Sequence, residues 1–540
     1  MRKLTACSNL LLSICNFFII LLFWIILNFI IYTKNTFGDV SFPQLFFFII
    51  YGGTEGVEHN LIRDIICCLI IIPIVLTVAI FFALKKTYNG KNLFCNQYIL
   101  LLYFLFLLLF TYVVLCRFSL FQTNDLLLLS EILFIIYLLN LWRNYSPTNT
   151  FFASVIALFL LCFNVNFINC ENMFSAIFEL KTTNFYEQNY QYVGNIAIKK
   201  DAKRNVIIVF AESFENKYSS IENNNMYRRG GVKINDKNAV KFSNLTEGYS
   251  QNWTQGALFS AFSGTHIHYL SDIFRYKIKG FKFHTGERIL MASNHLGENF
   301  KFQTPNITYL GDIAKFNNYN TLFVQGGNIK FSGTDSFLTM HGFDKNNIYD
   351  LQSFAGMKEY EKAYGWWGVP DRLVFEKFKE KITLIDKRKP FLAVMFTLDL
   401  HRGENPFFPK EEDQAKETIN NFNNFISWFE NQPFYKNTTL IIVGDHRRMG
   451  QKSLIGGGIY NAFFNLPQNL KKNLNVNRTF NQIDMFPTIL NIMGAELQHG
   501  KAGVGTSLFS NTETIAEKYS YTEQTIIFSK FDKFYQKLFE

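Results

Sequence analysis

Asn205-Val-Ile-Ile-Val-Phe210 is a short β-branched run, apolar at successive positions, and Ala211-Glu212-Ser213 follows it at once. A run without polar alternation fits a strand that is buried on both faces, as in a parallel sheet covered by helices on each side. Three similar runs follow at 321–325, 391–397 and 440–443, with stretches of helical character between them. This alternation predicts an α/β domain with a mostly parallel central sheet. Each run also ends in polar residues, reading Gly326-Gly327-Asn328, Asp399-Leu400-His401 and Gly444-Asp445-His446. Functional groups of open α/β sheets gather beyond the carboxyl ends of the strands, so one sheet edge is expected to carry the chemistry.

Glu212, directly after a buried strand, is either a metal ligand or a solvated loop acid. Asp445-His446 says more, because a carboxylate and an imidazole delivered from one rigid strand end suit Mn2+ or Zn2+, and Mg2+ less well given the nitrogen donor. The alternative is a capping Asp beside a surface His. Between these strands, Ser250-Gln-Asn-Trp253-Thr254-Gln-Gly-Ala-Leu-Phe-Ser-Ala-Phe-Ser-Gly264 begins polar and turns small and apolar, which reads as a helix start. Thr254 then sits near a helix N-terminus, where free backbone N–H groups and the helix dipole favour an alkoxide and phosphate oxygens. It is a plain cap unless something lowers its pKa, and a coordinated metal does so.

The first third of the chain is different. Residues 8–32, 64–84, 95–116, 126–142 and 149–168 are near-continuous apolar stretches, and crossing a bilayer takes roughly 17–25 residues. Five spans are expected. Arg2-Lys3, Lys85-Lys86 with Lys91, and Arg143 mark alternate connections as cytoplasmic, which places everything after Ile168 outside. Residues 126–142 hold Glu131 and form the shortest span; if they do not cross, the orientation reverses. Residues 169–200 have the near-helical apolar spacing of an interfacial helix and lead to a domain at 201–540. All eight cysteines fall between Cys7 and Cys170, so no cysteine of the second region is a metal ligand or nucleophile. The net charge of +10 has no nucleic-acid motif to accompany it, and an anionic membrane surface is its better partner.

The set resembles the alkaline-phosphatase/sulfatase superfamily, and within it the membrane-anchored phosphoglycerol transferases. These are the lipoteichoic acid synthases and the enzymes that decorate periplasmic glucans. The motifs are Asn205 to Phe214, Trp253-Thr254 with Gly256 and Ser263-Gly264, and His341-Gly342-Phe343-Asp344. Thr397-Leu-Asp-Leu-His401, Val443-Gly-Asp-His446, Ile483 to Leu490 and Gly503 to Leu508 complete them. The resemblance covers most of residues 200–510 and includes a five-span anchor. It implies one divalent metal, Mn2+ first with Mg2+ or Zn2+ as alternatives, held by Glu212, Thr254, Asp445 and His446. It implies Thr254 as nucleophile, His401 as a phosphate-contacting, proton-transferring residue, phosphatidylglycerol as donor and a glycan or polymer as acceptor. The implied place is the cytoplasmic membrane, with the catalytic domain in the periplasm or outside the cell.

The chain departs from lipoteichoic acid synthases after Asn328, where Ile329-Lys330-Phe331-Ser332-Gly333-Thr334 replaces a Trp and Arg. Trp253, Asn328 and Lys330 are candidate substrate contacts. No Cys/Ser-x-Pro-x-Arg box stands at Thr254, which argues against sulfate-ester hydrolysis. Phosphoethanolamine transfer is the nearest rival, and a non-catalytic lipid-binding membrane protein is the rival from another class. His266 and His268 are weaker candidates for an acceptor groove, His341 for a structural position, and Arg117, Glu131 and the loop at 52–59 for lipid access.

Overall fold

A computed structural model describes residues 182–219, 232–267, 306–330, 333–364, 366–401, 405–448, 458–472 and 474–538, together with Phe18, Leu21, Ile25, Ile71 and Ile74. Two compact units divide the chain, Met1–Phe42 with His59–Glu171, and Pro43–Glu58 with Asn172–Glu540. In the first unit only those isolated positions are described. Apart from those positions, the five expected spans lie outside the described residues, as do Arg117, Glu131 and the loop at 52–59. Among the described residues no helix is long and apolar enough to cross a membrane.

The second unit is built on a six-stranded sheet. Its strands are β1 (Asn205–Ala211), β2 (Asn320–Gln325), β3 (Ile348–Tyr349), β4 (Phe391–Phe396), β5 (Thr438–Gly444) and β6 (Asn461–Phe464), arranged in the order β3-β2-β4-β1-β5-β6. All neighbours are parallel except β6, which runs antiparallel to β5. The four expected strands are present within two residues of their expected ends. β3 and β6 were not expected, since two- and four-residue strands offer too few positions for a pattern to register.

Helices cover both faces, which is why the strands are apolar without alternation. α1 (Thr254–Ser263), α2 (Leu310–Phe316) and α5 (Met485–Met493) pack with Val206, Ile208 and Phe210 of β1 into one core. α3 (Asp371–Leu384) and α4 (Glu411–Glu430) pack with Ile207, Val209 and Ala211 into the other. α4 shows the cause plainly: Ala415, Ile419, Phe422, Ile426 and Phe429 recur every three or four residues and are fully buried.

The register of β1 sets up the site. Ala211 lies beside Gly444 and Phe210 beside Phe396, so β1, β4 and β5 end level with one another. The residues that follow them emerge together at one edge. Ahead of β1, Thr182–Thr183 pairs in parallel with Phe531–Asp532, and the short helix Phe185–Asn189 places the fully buried Tyr186 ring 4.9 Å from that of Tyr535.

Candidate active site

Beyond the level ends of β1 and β5, Glu212, Asp445 and His446 are each at most 1% exposed, and one ligand atom from each lies within 4.8 Å of the others. α1 brings in the fourth group. Thr254 is its first residue, and its Oγ1 donates to Glu212 Oε2 at 3.1 Å and stands 3.3 Å from His446 Nε2. Trp253 precedes it in extended conformation, buried, with no side-chain cap on the helix end, and its carbonyl accepts from Ala257 N–H. Gly256 is required for this turn. A Cβ there would stand 1.9 Å from the Ser250 carbonyl oxygen and 2.5 Å from Trp253 Nε1.

Several residues that no sequence signal singled out fix the ligand geometry. Ser213 has a left-handed backbone, φ 53°, which aims its N–H at Asp445 Oδ1 (2.8 Å) while its hydroxyl donates to Glu212 Oε1 (2.6 Å). Gln482 donates from Nε2 to the Gly444 and Asp445 carbonyls at 2.7 and 2.8 Å, holding the end of β5. The Thr397 hydroxyl accepts from Glu212 N–H. His446 Nδ1 lies 2.7 Å from the Arg447 carbonyl, which only accepts, so Nδ1 carries the proton and Nε2 faces the centre. Arg447 is itself clamped by Glu247 through its backbone N–H, Nε and Nη2. Ser213 and Thr397 stood inside quoted motifs. Gln482 and Glu247 stood in no pattern because their roles come from contacts made 37 and 200 residues away in sequence.

Two buried carboxylates and a buried imidazole set the electrostatics of the site. Burial pushes the Asp445 carboxyl up to about 8, helped by the Glu212 charge. Burial would pull His446 down, but Asp445 and Glu212 together raise it to about 9. Burial also pushes Glu212 upward, yet His446, His401 and the hydrogen bonds from Ser213 and Thr254 outweigh it and hold this carboxyl below its ordinary range. Asp445 Oδ2 is buried without a hydrogen bond, 3.3 Å from His446 Nε2. A buried acceptor without a hydrogen bond is costly, and the His446 ring offsets that cost by charge alone. One imidazole nitrogen, two carboxylates and a hydroxyl fit a divalent ion of the Mn2+ or Zn2+ kind.

The remaining candidates fall in two groups. His401, at the end of the β4 loop, is half-buried against Trp367 with ring centroids 4.2 Å apart, and lies near enough to Glu212 to lower its pKa. Asn328 and Lys330 sit on the loop after β2; the half-buried Asn328 accepts the Lys330 N–H, and Lys330 is exposed. Thr334 ties this loop to α1 through a 2.8 Å bond to Gln255. His266 differs from the acceptor-groove candidate of the sequence. It is fully buried, its backbone N–H donating to the Tyr186 hydroxyl, and so does not line a groove. His341 is buried on Asp312, and His268 lies outside the described residues.

The family model described as Sulfatase matches residues 204–495. The phosphoglycerol transferase I of Citrobacter koseri is 28% identical over 245 residues, which is 41% of this chain and 31% of that protein. That of Escherichia fergusonii is 29% identical over 209 residues, 35% of this chain and 27% of the relative. The chain thus spans well under half the length of these relatives. Among solved structures, a protein in the alkaline phosphatase superfamily from Vibrio parahaemolyticus matches with a TM-score of 0.41 and 17% identity, covering 60% of this chain and 74% of that one.

Proposed function

Because the chain belongs to the sulfatase family, we propose that it uses the Thr254 centre to move a phosphoglycerol group from phosphatidylglycerol to an extracytoplasmic glycan or polymer. The observation that carries this reading is the convergence of the Thr254 hydroxyl on Glu212 and His446 beside an Asp445 oxygen that accepts no hydrogen bond. A nucleophile inside a ligand cluster is the arrangement that covalent transfer needs. The similarity to phosphoglycerol transferases supports the choice of group. The absence of a formylglycine box at Thr254 speaks against sulfate esters.

Glu212, Asp445, His446 and Thr254 would hold one divalent ion, Mn2+ first, and the bound ion would supply positive charge that acidifies the hydroxyl and offsets the phosphate. The chain's own groups then account for each bond. Thr254 Oγ1 bonds to phosphorus as its proton leaves along the hydrogen bond to Glu212, and the phosphorus–oxygen bond to diacylglycerol breaks with a proton from His401. An acceptor hydroxyl next gives its proton to His401 and bonds to phosphorus. Thr254 is released and recovers its proton from Glu212. The start of α1 carries no side-chain cap, so its free amides would be available to the phosphate oxygens. A five-span anchor at 1–168 would keep this domain at the outer face of the cytoplasmic membrane, where the lipid donor is confined.

Intact-mass analysis of the full chain with Mn2+ and either phosphatidylglycerol or phosphatidylethanolamine, before any acceptor, tests the reading. A glycerophosphate adduct that maps to Thr254 and is absent from Thr254→Ala is expected, with turnover in that variant down by about 10³-fold or more. A phosphoethanolamine adduct would replace the donor, and undiminished turnover in Thr254→Ala would remove the mechanism.

A further inference from the structure

Tyr192 is an exposed aromatic in a segment whose neighbours pack into the core. It is 60% exposed, and its ring lies across Gly194, where an added Cβ would stand 2.0 Å from the hydroxyl oxygen. The ring borders a half-open cavity of about 780 Å³ lined by Tyr190, Tyr192, Asn306, Asp312, His341 and Phe534, among others. None of the lining residues belongs to the Thr254 centre.

Its walls are held in place. Tyr190 and Phe534 pack with ring centroids 5.9 Å apart, and the Thr308 backbone hydrogen-bonds the Tyr190 hydroxyl. Asp312 Oδ2 accepts both the Tyr309 N–H (2.9 Å) and His341 Nδ1 (2.8 Å). Its Oδ1 has no partner among the described residues, and the side chain is 32% exposed. Asn306 donates its amide to the Lys537 carbonyl, which leaves its own side-chain oxygen as an acceptor.

These features select a ligand class. Among the described residues no lysine or arginine lines the cavity, and the Asp312 carboxylate does, so these walls disfavour a phosphate or other anion. An acyl chain would strip water from the Asp312 carboxylate and give nothing back. A sugar ring supplies apolar C–H faces for Tyr190, Tyr192 and Phe534, and hydroxyl donors for Asp312 Oδ1 and Asn306.

We propose that this cavity binds a neutral sugar residue of the acceptor glycan; the word acceptor rests on the transferase reading, the sugar chemistry on the cavity itself. The experiment titrates the full chain in detergent with cellopentaose, laminaripentaose and maltopentaose by saturation-transfer NMR. The lipid adduct on Thr254 is read in the same preparation. Binding of at least one pentasaccharide, weakened five-fold or more by Tyr192→Ala and by Asp312→Asn, is expected. Tyr192 is exposed, and Asn at 312 keeps an acceptor for the Tyr309 N–H, so both variants retain the fold. No binding by any of the three, or binding indifferent to both substitutions, overturns the inference. An adduct without sugar binding sinks this inference alone, and sugar binding without an adduct sinks the transferase reading alone.

Discussion

At the scale of single residues, the Thr254 centre holds protons where the proposed cation would sit. With Asp445 pushed up to about 8 and His446 to about 9, both are protonated at neutral pH while Glu212 stays ionised, so the buried set is close to neutral. Ligation needs Asp445 charged and His446 neutral. Mn2+ uptake at pH 7 is therefore expected to release about two protons, and affinity to fall as pH falls. Calorimetry in buffers of different ionisation enthalpy reads this directly, and Asp445→Asn should lower the count by about one. Stability of the metal-free protein follows the same sign. Both folded pKa values lie above their ordinary ones, so the contribution present at low pH is lost as pH rises, for Asp445 from 3.8 to about 8 and for His446 from 6.5 to about 9. A metal-free melting temperature that climbed over that window would contradict the assignment. Glu212, Asp445, His446 and Thr254 were legible in sequence because each directly follows a strand or opens a helix. Gln482 and Glu247 were not, because orienting a ligand leaves no periodic trace.

At the scale of elements, the site depends on how closely α1 approaches the end of β1. Gly256 permits that approach, since any side chain there meets the Ser250 carbonyl, which cannot yield as the tip of a long side chain could. Gly256→Ala should shift the Ser250–Trp253 turn and with it the Thr254 hydroxyl. Adduct formation is expected to fall by about 10²-fold, since misplacing a reacting group by 1 Å costs that much. The measurement is the rate of Thr254 adduct formation beside circular dichroism that shows the fold intact. A native rate would mean that the turn absorbs the Cβ elsewhere. The strands of this layer were readable because burial on both faces produces unbroken apolar runs. Their spatial order was not, because β2 and β4 sit on one side of β1 and β5 and β6 on the other, and chain order does not encode that crossing.

At the scale of the whole second unit, the domain does not begin at its first long strand. Phe185, Tyr186 and Ile198 are buried in the same core as β1, and Thr182–Thr183 pairs with Phe531–Asp532. Burying such a side chain is worth about 1.5–3 kcal/mol, so a fragment starting at 201 should be less stable than one starting at 172 by about 5 kcal/mol or more. Urea denaturation of the two fragments measures the difference. Equal midpoints would show that the segment before β1 contributes little to the fold.

The sequence by itself determined the class of the second unit, the four long strands and the residues at their ends, because burial on two faces and chemistry at strand termini are local properties of the chain. Only the tertiary structure decided that β1 and β5 end level, that Asp445 Oδ2 is left without a hydrogen bond, that His266 is buried in the core, and that Tyr190, Tyr192, Asp312 and Phe534 meet around one cavity. Each of these is a coincidence of positions far apart in the chain. Hydrophobic burial and backbone pairing bring them together, and hydropathy periodicity, which reports a residue's surroundings only within a few turns or strands, carries no information about which distant segment arrives beside it.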